Sequence, residues 1–486
     1  MNDASFEHPR SGWAPTTMVW ALPHPWMPVA SLRAGPARVL YSGVTTILAT
    51  RRVRPCKGTT VQMDDLVLVS VDDHVVEPPH LFEGRLPAKY VDVAPKLIRG
   101  DDGSHYWQYG SERIANVALN AVAGRPPEEY GVEPTSFEEI RKGTWDIDER
   151  VKDMSANGVL GSLCFPSFPQ FCGQLFARTP DKDQALAMVR AYNDWHIDEW
   201  CGTHPGRFIP CPIPAVWDPE VLAAEVRRCA AKGAHAITFS ENPAELGWPS
   251  LHSDHWDPFW KACSEEAVVV CMHIGSSSKM VFTAPDAPID VLITLTPINL
   301  VQAAADLIWS PVLRKFPDLK VAMSEGGIGW VPYFLERIDY NYGRHRAWTL
   351  QDFGDKLPSE VFNEHVITCF IDDKFGVESR NSLNMDAVCW ECDYPHSDSS
   401  WPRSPEQLWE SIKDLPDHDI DRMTHLNAMA QFHFDPFAYV QREQATVGAL
   451  RASVAGHDVS IQAKGKRSHG GHGIDALSEM AEASKA

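Results

Sequence analysis

The sequence predicts a (β/α)8 TIM barrel, an α/β fold, with a long βα-loop insertion after strand 1. Eight short apolar runs rich in Val, Ile, Phe or Cys recur along the middle of the chain, as strands buried on both faces require. Amphipathic stretches of helical period separate them, the alternation of a parallel α/β fold. No glycine-rich phosphate or dinucleotide fingerprint follows any run, and eight strands favour a closed barrel over an open sheet.

The runs, in order, are 66–71, 159–165, 208–213, 235–239, 268–272, 319–323, 366–371 and 387–392. Helical patterns lie between them at 147–156, 183–201, 219–232, 258–266, 298–309 and 329–342, with a last one at 406–413. Asp218 and Asp257 precede two of these as N-caps, and Gly233 follows one as a C-cap. The helix after the seventh strand is the one the pattern leaves undefined. The link at 75–144 is too long for a plain loop. Within it, 97–99 and 105–109 flank Asp101-Asp102-Gly103-Ser104, a hairpin signal. An insertion on this side of a barrel becomes a lid or a pocket wall.

Composition bounds the partners. With 44% hydrophobic and 22% charged residues over 486 positions, the chain cannot be disordered throughout. The balance of 44 Lys+Arg against 65 Asp+Glu gives a net charge of -21 with no long basic stripe, which argues against nucleic acid. Eleven scattered Cys suit reduced thiols in a cytoplasm better than a disulfide framework. No uninterrupted run reaches the roughly 18 apolar residues of a membrane span. The expectation is a soluble cytoplasmic protein with a small-molecule substrate and no membrane partner, a homodimer being one open oligomeric state.

The ends differ from the middle. Residues 1–63 carry seven basic side chains against two acidic ones, a net of +5 that leaves -26 for residues 64–486. Such a leader reads as a disordered extension, as an upstream stretch before a true start at Met63, or as a transit peptide. Residues 441–486, with a Gly-, Ser-, His- and Lys-rich run, read as a disordered tail. The barrel is therefore assigned to 64–440.

Catalytic groups of a barrel project from the C-terminal ends of its strands. The first run ends in Asp72-Asp73-His74, where Asp72 and His74, two apart, share a side of extended backbone. The fifth runs into His273, the sixth into Ser324-Glu325, and the eighth into Glu391-Cys392-Asp393. Any one of these has an ordinary structural reading. Together they bring Asp, His, His, Glu and Asp to one rim, which without a cation would crowd like charges at severe cost. The expected metal ligands are Asp72, His74, His273 and Asp393, with Glu325 as a further ligand or base. Mixed N/O donors suit one divalent ion, Zn²⁺ first and Mn²⁺ second.

The residues DDHVVEPP at 72–79, His273 in VVVCMHIG, SEGG at 324–327 and CDYPH at 392–396 resemble the amidohydrolase-related proteins. The branch is that of aminocarboxymuconate semialdehyde decarboxylase and the aromatic acid decarboxylases, and the likeness runs over about residues 66–440. The resemblance implies a (β/α)8 barrel with one Zn²⁺ or Mn²⁺, whose ligands match Asp72, His74, His273 and Asp393. One position departs: where the family commonly has a His before the paired glycines of strand six, this chain has Glu325.

Two chemistries fit that site. In the first, a metal-dependent hydrolase of the amidohydrolase type, activated water attacks an amide, lactam or related carbonyl, with Asp393 or Glu325 handling the proton. In the second, a metal-dependent non-oxidative decarboxylase, Asp393 delivers a proton to the carbon that loses CO₂. The missing strand-six His tilts the sequence reading towards hydrolysis. A third reading is an inactive barrel serving as a binding module. Trp330, Trp401 and Phe168 are expected to line an aromatic pocket for a planar or apolar carboxylated substrate. Cys389 and Cys392 read as core thiols, and Ser276 to Lys279, a Ser-x-x-Lys, as a plain βα loop.

Overall fold

The computed structural model describes residues 61–465 apart from Val132, Met280, Phe282 and Pro285. The expectations for residues 1–60 and 466–486 lie outside the described residues.

Eleven strands occur among the described residues: β1 Val69–His74, β2 Lys96–Arg99, β3 His105–Tyr109, β4 Glu112–Ile114, β5 Gly161–Phe165, β6 Phe208–Ile209, β7 Ala236–Phe239, β8 Val269–His273, β9 Val321–Ser324, β10 Val366–Phe370 and β11 Val388–Trp390. Eight of them, all but β2 to β4, are the apolar runs of the sequence, and every neighbouring pair among those eight is parallel. They form a three-stranded sheet in the order β1-β5-β6 and a five-stranded sheet in the order β11-β10-β9-β8-β7. Backbone bonds also join the sheets' outer members. Asp393 N donates to Asp72 O and His74 N to Tyr394 O, both at 2.7 Å, while Thr238 N donates to Pro212 O at 3.1 Å.

Side chains divide by strand parity, as the pleat dictates. Val69, Val71, Leu163, Phe165, Ile209, Cys211, Ala236, Val269, Cys271, Ala322, Ile367, Cys369 and Cys389 form one buried cluster between the strands. Their alternates, such as Val270, Met272, Val321 and Met323, pack against the helices. Helix Ile147–Asn157 starts at Asp146, which caps Glu149 N, and ends at Gly158 in left-handed conformation. Asp218 caps Pro219–Ala230 as expected. Asp257 instead lies inside helix Asp257–Glu265, because Ser253 caps a preceding 3₁₀ turn and the chain is already helical there. Gly233 (φ 92°) follows the helix end by three residues rather than capping it. The seventh of the eight parallel strands in chain order, β10, is followed by a short helix, Lys374–Glu378.

Three segments differ from expectation. The insertion hairpin, β2 paired with β3 in the register Leu97 to Trp107, gains a third antiparallel strand, β4. Helices Ile289–Leu295 and Ile298–Trp309 together make a 21-residue, largely apolar stretch, long enough to cross a bilayer by length and composition alone. Leu300, Ala303, Ala304, Leu307 and Ile308 of the second helix are nevertheless buried in the helix layer. Residues 441–465, expected to be disordered, contain helix Val447–Ser453, capped by Thr446. The spacing of Val447 and Leu450 buries both, and Val447 N donates to Leu66 O at 2.8 Å. Two apolar residues at helical spacing were enough to dock a segment that composition alone marked as tail.

Candidate metal centre

The ends of β1, β8, β9 and β11 bring the expected groups to one point. A register shift between Ser70 and Asp73 bulges β1 as it enters the Asp72–His74 stretch. His74 Nε2 lies 3.5 Å from Asp72 Oδ1 and 3.2 Å from Asp393 Oδ1. His273 Nε2 lies 3.3 Å from Asp72 Oδ2 and 3.4 Å from Glu325 Oε2. The backbone N–H donors that β1 and β11 exchange tie Asp72 to Asp393 directly. Asp393 (φ 55°) and Glu325 (φ 64°) both adopt the left-handed conformation, which costs a non-glycine residue about 1–3 kcal/mol and concentrates at functional sites. The buried carboxylate of Glu391 holds Glu325 there, accepting its N–H at 3.1 and 3.2 Å.

The donor set passes a simple test of fit. Asp72 Oδ1 and Oδ2, His74 Nε2, His273 Nε2, and Asp393 Oδ1 and Oδ2 are all buried, and none has a hydrogen-bond partner. Six converging orphaned lone-pair atoms are costly unless a cation satisfies them. Burial, with Asp73 nearby, pushes the Asp72 carboxyl well above its usual range. Burial and the Asp72 charge do the same to Asp393, and burial and the Asp393 charge to Glu325. Burial, aided by His396 and His273, holds His74 well below its ordinary value, so its lone pair is free for a metal. The His273 Nδ1 contact with Ile274 O, 2.7 Å, turns Nε2 towards the centre.

A buried polar layer lies behind these groups. Arg150, fully buried, donates Nη2 to the His74 carbonyl and sits 4.4 Å from the Tyr394 ring centroid. Asp73 accepts from Tyr394 N at 2.9 Å and from Ser162 Oγ. Tyr394 OH donates to Asp153 at 2.6 Å. Sequence reasoning missed Arg150, although its place on the apolar face of its helix, between Ile147 and Met154, was a readable signal.

The three expected pocket residues are placed differently. Phe168 is buried and stacked on Trp107 at 4.4 Å, serving the core beneath the insertion. Trp401 donates its indole N–H to Asp153 O at 3.1 Å and packs under Arg141, behind the ligands. Trp330 is half-buried, donates to Gly326 O at 2.9 Å and packs on Phe334. The rings at the centre are instead Phe165 and Phe171. Phe171 stacks on His273 at 4.4 Å and meets His74 edge-on at 5.7 Å, and Phe165 lies 4.9 Å from His273. Between Phe168 and Phe171 the chain turns at Gln170, which adopts φ 63°.

The insertion does reach this rim. Val122 N and Ala123 N donate to Pro395 O at 3.0 and 2.9 Å, and Asn120 Nδ2 donates to Ser397 Oγ at 3.0 Å. Neither set-aside motif is assembled for chemistry. Ser276 Oγ donates to Glu241 at 2.5 Å while Lys279 pairs with Glu245, and Cys389 and Cys392 are buried free thiols.

Comparison with known proteins agrees with this geometry. A family model described as Amidohydrolase (Amidohydro_2) matches residues 105–434. The chain is 24% identical over 312 residues to a 2-amino-3-carboxymuconate-6-semialdehyde decarboxylase of Dictyostelium discoideum, covering 63% of this chain and 81% of that protein. It is 22% identical over 342 residues to a gamma-resorcylate decarboxylase of Rhodococcus jostii (strain RHA1), covering 65% and 95%. Among solved structures, an amidohydrolase of Mycobacterium avium subsp. paratuberculosis superposes with a TM-score of 0.60 at 20% identity, covering 75% of this chain and 99% of that one. Both of these relatives are named as decarboxylases, which favours the alternative reading over hydrolysis.

Proposed function

The chain belongs to the amidohydrolase family of enzymes, and from that membership we propose a metal-dependent, non-oxidative decarboxylase of an aromatic or muconate-like acid. The observation that carries the reading is the six orphaned donor atoms of Asp72, His74, His273 and Asp393 around one point. In this reading the two parallel sheets are arcs of one (β/α)8 barrel, residues 64–440, in which the 75–144 insertion overhangs the site. The enzyme acts on a small molecule in the cytoplasm, where its buried thiols stay reduced.

Asp72, His74, His273 and Asp393 would hold the ion, Zn²⁺ or Mn²⁺, with Glu325 as a further ligand or base. When bound, a divalent ion supplies Lewis-acid polarisation of a substrate carboxylate and its neighbouring oxygen. Asp393 delivers a proton to the ring or chain carbon that bears the carboxylate. The bond from that carbon to the carboxylate breaks, its electron pair stays with the carbon framework, and CO₂ leaves. A carboxylate anion and one proton thus become the protonated product and CO₂. Phe165 and Phe171 shield His273 from water and offer an apolar wall to a planar acid.

Turnover in H₂¹⁸O tests the reading. CO₂ release with no ¹⁸O in the organic product is expected for candidate aromatic and muconate-like acids. Incorporation of ¹⁸O into a newly formed carboxylic acid, without CO₂, would return the site to hydrolysis.

A further inference from the structure

We propose that His396 is an additional metal ligand, so that three imidazoles, His74, His273 and His396, hold the ion together with Asp72 and Asp393. The inference rests on the metal-site reading above and adds a donor to it.

The geometry isolates His396 from the other polar residues of the rim. Its ligand atom and those of His74 and Asp393 all lie within 4.8 Å of one another, and so do those of Asp72, His74 and His273. The two triads share His74, so one ion near His74 is in reach of both. His396 Nδ1 approaches Asp393 Oδ1 to 2.8 Å, yet that oxygen has no hydrogen-bond partner. Two lone-pair atoms this close repel unless a proton or a cation lies between them, and the ring is not oriented to supply the proton. A shared cation removes the conflict.

The His396 ring is itself buried and stacked on His74 at 3.7 Å with an interplanar angle of 28°. The residues on either side of it are fixed by the insertion, through Val122 and Ala123 to the Pro395 carbonyl and through Asn120 to Ser397. One of the insertion's roles is then to seat a ligand, beyond forming a wall. Chemically, a third imidazole shifts the donor set away from the oxygen-rich sites that suit Mg²⁺ and towards Zn²⁺. The competing role for His396 is outside the coordination sphere, orienting Asp393 alone.

X-ray absorption of the Zn²⁺-loaded wild-type protein counts imidazoles through their multiple-scattering features and needs no variant. Three imidazoles are expected, falling to two in His396→Gln, with Zn²⁺ affinity in chelator competition lower by about tenfold or more. Two imidazoles in the wild type, or an unchanged count in His396→Gln, overturns the assignment. If two imidazoles are found while CO₂ release persists, the inference fails alone. A protein that takes up no stoichiometric Zn²⁺ overturns the metal-site reading with it.

Discussion

Replacing Arg150 by Met removes the cation that braces the ligands from behind. The guanidinium donates to the His74 carbonyl, and a charge-assisted hydrogen bond of this kind contributes about 1.5–3 kcal/mol. Its position 4.4 Å from the Tyr394 ring adds about 1–2 kcal/mol in a desolvated setting. Methionine fills a similar volume and avoids the guanidinium's own desolvation, which offsets part of the loss. A second effect is on Asp73. Burial pushes its carboxyl up to about 6 even with Arg150 pulling it down, and without Arg150 it is a buried acid lacking its cation. The lost hydrogen bond and ring contact, less the desolvation that Met avoids, give a destabilisation of about 2–4 kcal/mol for Arg150→Met. Because the His74 carbonyl and Tyr394 flank two ligands, metal affinity should also fall by about 10- to 100-fold. Urea unfolding of chelated protein, followed by Trp fluorescence, gives the first number, and chelator competition gives the second. Arg150→Lys, which keeps the charge and loses the fork, should fall between wild type and Arg150→Met in both. A destabilisation below about 1 kcal/mol, with metal affinity unchanged, would show that Arg150 braces nothing.

Chelating the metal should lower the melting temperature, and restoring a divalent ion to 100 times its Kd should return about 2.7 kcal/mol; a calorimetric trace indifferent to metal contradicts the site. Phe171→Ala should leave stability nearly intact but lower kcat/KM for aromatic acids by about tenfold, the loss of roughly 1.4 kcal/mol of ring contact. Phe168→Ala should instead cost about 3–5 kcal/mol of stability, and the reverse pattern would restore Phe168 as the pocket residue. Burial also pushes the Glu77 carboxyl from 4.5 to about 7, against the N–H groups of Ser167 and Phe168 that it accepts. A carboxyl raised in the fold keeps its proton there, so the stability it permits is complete below pH 4.5 and declines as pH rises to about 7. The decline is about 3 kcal/mol, and Glu77→Gln should flatten it; parallel pH profiles for the two proteins would exclude Glu77 as the cause.

The parallel strands were legible because most carry short apolar runs that are buried on both faces. Their ends were less so. The first apolar run spans 66–71, but β1 is Val69–His74, because the polar residues Asp72 to His74 continue the strand where hydrophobicity stops. The clustered groups were readable for the same reason: Asp72, His74, His273 and Asp393 are polar residues at the ends of apolar runs. His396 and Glu391 lie in the same motif but carry no spacing signal of their own, and their roles depend on the left-handed turns at Asp393 and Glu325. The three ring residues rested on sequence neighbourhood alone, because a strand's neighbouring loop has no periodicity. Trp401 follows the motif in sequence yet turns back onto helix Ile147–Asn157 through Asp153. The tail helix at Val447–Ser453 was hidden by the Gly- and Ser-rich composition that follows it.

The central claim is that this metal site removes a carboxylate and replaces it with a proton. The direct measurement is NMR of metal-loaded enzyme acting in D₂O on carboxyl-¹³C aromatic and muconate-like acids. The account predicts one ¹³CO₂ released for each product molecule and one deuterium at the carbon that bore the carboxylate, with both signals lost on chelation. Retention of the ¹³C carboxylate while another bond of the substrate is hydrolysed, or deuterated product formed equally well without metal, would contradict it.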